Sequence, residues 1–100
     1  MEKQTPQYDL AAIQAGVAQL RAAAFTKTAL DGGRAMGLTS AEMLGVITAL
    51  TRREFYKSMT TYADSHVWQD VYHATTPVGK DAYIKITWRD WAPVIQFKEK

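Results

Sequence analysis

Lys57, Gln69, Tyr83, Lys85 and Lys98 have side chains of the kinds that phosphoryl chemistry on RNA uses. RNA carries its own nucleophile, the 2′-hydroxyl, so cleavage needs only a proton acceptor, a proton donor and cations where charge builds on phosphorus. One phenol, one amide and three ammonium groups meet that need without a metal or any other cofactor. The bland reading of the same residues is that exposed Lys and Tyr on strands solubilise a sheet edge. Residue types alone leave both readings open.

Other routes to chemistry are poorly supplied. The chain has no cysteine, which removes thiolate nucleophiles, disulfides and cysteine-ligated metal centres. His66 and His73 are the only histidines, and no pair of carboxylates accompanies either at a ligand spacing, so no metal site is expected. Asp64, Asp70, Asp81 and Asp90 are scattered in the manner of solvated turns. Asp31-Gly32-Gly33 follows a helical start, with no Gly-Lys-Ser/Thr after it, and is not a phosphate loop. Ser40, Ser58 and Ser65 lack the Gly-x-Ser-x-Gly setting of a hydrolase elbow.

The elements that must position these residues divide the chain in two. Leu10, Ile13, Val17, Leu20 and Ala24 recur at three- and four-residue steps, which predicts a helix from about Leu10 to Ala23 that Asp9 can cap. Thr28 is a cap candidate for a second helix, weakened inside by Gly32 and Gly33 and stopped by Gly37. Thr39 and Glu42 have capping-box spacing and open a third helix striped with Met43, Val46, Ile47 and Leu50; Thr51 and Glu54 repeat the spacing. From Phe55 the period shortens, and strands are expected over 55–62, 67–73, 82–88 and 94–98. In the third of these, Ala82, Ile84, Ile86 and Trp88 alternate with Tyr83, Lys85 and Thr87. Pro93 must precede the last strand or lie at a sheet edge.

Helices first and strands later imply an α+β single domain over residues 1–100, its N-terminal helices (1–50) packed on one face of a C-terminal antiparallel sheet (55–100). A formal charge of +2 arises from 12 Lys+Arg against 10 Asp+Glu, and the whole excess lies in the second half. Nine of the 11 aromatic residues lie there too, a combination that suits contact with phosphates and unpaired bases. The longest apolar stretch is far short of the roughly 20 residues that span a bilayer, and the N-terminus lacks a secretory h-region, so a cytoplasmic protein is expected.

The run Phe55-Tyr56-Lys57-Ser58-Met59-Thr60-Thr61-Tyr62 with Trp68-Gln69-Asp70-Val71-Tyr72 resembles the MqsR family of bacterial type II toxin–antitoxin toxins. The opening Met1-Glu2-Lys3 and Thr5-Pro6, the segment Tyr83–Thr87 and the closing Phe97-Lys98-Glu99-Lys100 fit the same family, whereas helix one and Trp88–Pro93 match it weakly. The resemblance implies a RelE-like fold and a ribosome-independent endoribonuclease that cuts mRNA at GCU-type sequences and arrests growth. It implies a neutralising MqsA-like antitoxin, through which alone operator DNA is engaged. The family's active-site Lys, Gln, Tyr and C-terminal Lys fall on Lys57, Gln69, Tyr83 and Lys98. These expectations give Lys57 and Lys98 the charge on phosphorus, Tyr83 the proton, and Gln69 the phosphate or a base edge; Tyr56 and Lys85 add RNA contacts. A rival within the nuclease reading gives proton transfer to His66 with His73. Outside it stands a non-catalytic nucleic-acid or protein binding module of the same fold.

Overall fold

The helices form where apolar residues recur at helical steps, and they start where hydroxyl side chains can cap free amides. In the computed structural model, which covers all 100 residues, α1 (Leu10–Leu20) buries Ile13 and Val17. Asp9 occupies its N-cap position without a side-chain bond to the helix. The helix ends before Ala23 because Arg21 adopts φ 55°, and a 3-10 turn, Arg21–Ala24, carries the chain onward. α2 (Lys27–Ala35) is capped by Thr26, two residues ahead of the expected Thr28. The Thr26 hydroxyl accepts from Ala29 N at 3.0 Å, while the Thr26 amide donates to Ile95 O at 3.1 Å and so fixes the extended backbone that a cap requires.

Gly37 terminates α2 as expected, at φ 90°: its amide donates to Arg34 O and that of Leu38 to Gly33 O, both at 2.9 Å. α3 (Ser40–Ala49) opens with the full Thr39–Glu42 capping box, and the Thr51–Glu54 box caps a 3-10 turn, Arg52–Glu54, that leads into the sheet. The two glycines inside α2 are points of close approach. A Cβ on Gly32 would fall 2.5 Å from the carbonyl oxygen of Phe97, and one on Gly33 would strike the Met43 side chain. Glycine at these positions lets α2 lie directly on the last strand and on α3.

Five antiparallel strands follow the order of the chain: β1 (Glu2–Lys3), β2 (Phe55–Thr60), β3 (Trp68–Thr75), β4 (Asp81–Arg89) and β5 (Ala92–Glu99). The four expected strands are present with shifted ends. β1 was not anticipated, since two residues carry no period. β5 is an edge strand that contains Pro93, and it joins β4 through a two-residue turn in which Asp90 and Trp91 both have positive φ.

Asp70 is a correction to the reading of the aspartates as turn residues. It is 1% exposed, on the helix side of β3, and its two oxygens accept from Gln7 N and Tyr8 N at 2.9 Å each. That grip, with Thr60 N donating to Met1 O at 3.0 Å, ties the N-terminal segment and β1 to the sheet. All three helices lie on one face of the sheet. There Ile13, Val17, Met43 and Ile47 meet Tyr72, Ile84, Ile86, Ile95 and Phe97 in a single core.

Candidate active site

Because side chains alternate along a strand, the residues between those core positions project to the opposite, helix-free face. Cross-strand register then sets rows. Lys57 lies opposite Val71, Val71 opposite Lys85, and Lys85 opposite Gln96. The neighbouring row runs His73, Tyr83, Lys98. A bulge between Phe55 and Lys57 lets Phe55 pack inward on Tyr72, with ring centroids 5.5 Å apart, while Tyr56 and Lys57 serve the open face. The Tyr56 ring stacks on His73 at 4.2 Å, and His73 is 5.2 Å from Tyr83. An aromatic series thus crosses three strands.

Tyr83 is flanked by cations: Lys98 Nζ is 5.5 Å and Lys85 Nζ 6.0 Å from its ring. Neither ammonium has a carboxylate partner. Val71, 0% exposed, lies between Lys57 and Lys85 as an apolar floor that excludes water and strengthens the local field. Lys57 differs from the other two lysines. Its Nζ donates to Glu2 Oε1 at 2.6 Å. This hydrogen bond holds the Lys57 ammonium above its ordinary pKa and the Glu2 carboxyl below its own, so both stay charged at neutral pH. The Lys57 ammonium is thereby held in place, with two of its three N–H groups outside this bond.

Gln69 shares the open face, opposite Met59 and beyond Val71 as seen from Tyr83. Tyr56, Lys57, Tyr83, Lys85 and Lys98 thus gather around His73 and Val71, and Gln69 stands at the margin of the group. Of the histidines, only His73 joins it. Burial, and then the charge of Lys100, push its imidazole below the ordinary value, which favours the neutral ring. Its Nε2 is buried without a hydrogen-bond partner. His66 sits in the turn after β2, 94% exposed and 3.3 Å from Asp64. His66 and His73 are seven positions apart, roughly 20 Å of extended chain, so they do not form an acid–base pair. Nowhere do three His, Asp or Glu side chains converge as metal ligands.

The family model described as "Motility quorum-sensing regulator, toxin of MqsA" matches residues 5–99 of the chain. The mRNA interferase toxin MqsR of Escherichia coli (strain K12) is 39% identical over 102 residues, spanning 100% of both proteins. The chain belongs to the MqsR toxin family. In this MqsR-family chain the densest motif forms β2 and β3, and the opening and closing motifs fold back on it. Glu2, from the first three residues, meets Lys57, and Lys98, from the last four, stands opposite Tyr83. Glu2 was not singled out in the sequence, because a carboxylate more than fifty residues away gives no local sign of its partner. No helix is long and apolar enough to cross a membrane.

Proposed function

We propose that this MqsR-family toxin is an mRNA interferase, an endoribonuclease that cuts single-stranded message on the open face of its sheet. The observation that carries the reading is Tyr83 between two ammonium groups with no carboxylate partners, with Lys57 fixed across Val71. The 2′-oxygen attacks the adjacent phosphorus. A 2′-O–P bond forms, the P–O5′ bond breaks, and the products are a 2′,3′-cyclic phosphate and a 5′-hydroxyl. Lys57 and Lys98 carry the charge that accumulates on the phosphorane oxygens. Tyr83 exchanges the proton, Gln69 orients the phosphate or a base edge, and Tyr56 and Lys85 hold flanking RNA. Cleavage at GCU-type sequences free of the ribosome, neutralisation by an MqsA-like antitoxin, operator contact through that antitoxin and a cytoplasmic site of action complete the reading.

Cleavage that survives Tyr83→Phe and is lost in His73→Gln would transfer the proton step to His73. Replacing Tyr83 by Phe, or Lys98 by Ala, lowers single-turnover cleavage by at least about tenfold. RNA that is bound but left intact by the wild-type protein would mark the fold as a binding module instead.

A further inference from the structure

Beside Tyr83 the open face does not end at β5. The segment Phe25–Thr26 runs along the outer edge of β5, bridged at Ile95, and α2 then rises from that edge. The first turn of α2 and the outer strands enclose a cleft of about 380 Å³. Its floor is the quartet Tyr83, Lys98, Lys85 and Gln96, two opposed pairs on β4 and β5, and its wall carries Thr26 and Thr28.

Several polar groups in the cleft are uncommitted. Lys85 and Lys98 have no acidic partner. Gln96 is exposed in an edge strand, and Thr28 is exposed on the helix. The Thr26 hydroxyl, by contrast, already accepts the bond that caps α2.

We propose that this cleft is a nucleotide subsite, which holds the residue flanking the scissile phosphate. This inference rests on the nuclease reading for Tyr83, Lys85 and Lys98, which the two sites share. The volume lies within the range of small-ligand pockets and suits one nucleotide. Lys85 meets the flanking phosphate. Thr28 offers a hydroxyl to the sugar or phosphate. Gln96 presents a donor and an acceptor side by side, which is the pattern that reads a base edge. Lys98, shared by the cleft and the Tyr83 cluster, sets the register between the bound base and the bond that breaks. The cleft therefore determines which base is tolerated at one position, and Gln96 and Thr28 are its specificity residues.

The test uses the full chain, ¹⁵N-labelled, titrated with trinucleotides whose 2′-oxygens are methylated so that none can be cut. The Gln96 side-chain amide and the Thr28 backbone amide shift on titration. Gln96→Ala weakens the preferred trinucleotide by about 3- to 10-fold, the worth of one or two hydrogen bonds. In cleavage of a random-sequence RNA, the same variant flattens the preference at one position while leaving the pH dependence unchanged. The Gln96 side chain is exposed, so the variant keeps the fold, and its spectrum checks this. Cleavage by the wild type with silent Gln96 and Thr28 signals, or an unaltered base preference in Gln96→Ala, overturns the subsite and leaves the nuclease reading intact. Binding in the cleft without cleavage of ordinary RNA overturns the nuclease reading and keeps the subsite. Neither binding nor cleavage overturns both.

Discussion

Replacing Asp70 by Asn probes the link between the core and the reaction face. The carboxylate is 1% exposed, and its two oxygens each accept one backbone amide, from Gln7 and Tyr8, at 2.9 Å. Asn keeps one acceptor and turns an NH₂ toward the other amide. One charge-assisted bond is lost, worth about 1.5–3 kcal/mol, and one buried N–H is left unpaired. We expect a net loss of about 2–4 kcal/mol, a large share of the ~5–15 kcal/mol that holds a domain of this size together. At roughly 4–8 °C per kcal/mol the melting temperature falls by about 8–32 °C. Urea unfolding gives the free energy, and hydrogen exchange at Gln7 and Tyr8 locates it. Asp9→Asn is the control, because Asp9 makes no side-chain cap bond, and it should change stability by less than about 0.5 kcal/mol. An Asp70→Asn loss as small as the control's would refute the assignment of Asp70 as the anchor of the N-terminal segment.

Three further outcomes follow from the site. Glu2→Gln frees Lys57 from its 2.6 Å partner, so the log–log salt slope of single-stranded RNA binding steepens by one contact, about −0.7. Cleavage by that variant slows at saturation while KM falls, because the cation is then more available but no longer held; kinetics at several salt concentrations check both effects. Gly32→Ala places a Cβ against the Phe97 carbonyl, costing about 1–3 kcal/mol by overpacking and displacing the neighbouring Lys98; thermal melts and activity measure the two together. The His73 ring has a folded pKa lowered chiefly by burial. Its contribution is complete above the unfolded value near 6.5 and is lost as pH falls from there toward the folded value, because the unfolded chain takes up the proton first. His73→Gln should flatten stability against pH in that window, and unfolding at pH 5 and pH 7 shows whether it does.

Much of this architecture is written in local sequence. Capping boxes at Thr39–Glu42 and Thr51–Glu54, the Gly37 stop and the alternation around Ile84 each act over a few residues, and each appears where expected. The positioning of Lys57, Tyr83, Lys85 and Lys98 on one face follows from the same alternation. What escaped the sequence depends on distant pairing. β1 exists because Asp70 and Thr60 hold the N-terminal segment. The Glu2–Lys57 pair then exists because β1 lies beside β2. Gly32 and Gly33 read as helix weaknesses until the surfaces they admit, β5 and α3, are known. The bulge after Phe55 is likewise invisible in residue types, yet it brings Tyr56 onto His73.

The chemistry of the product ends decides whether the RNA supplies its own nucleophile. Purified wild-type protein is incubated in EDTA with a labelled single-stranded RNA and with a copy bearing 2′-deoxyribose at the cut position. The first is cleaved to a 2′,3′-cyclic phosphate and a 5′-hydroxyl, the second is not cleaved at that position, and Tyr83→Phe loses at least about tenfold. Cleavage of the deoxy-substituted copy at the same bond would contradict attack by the 2′-oxygen, since the attacking oxygen would then have come from water.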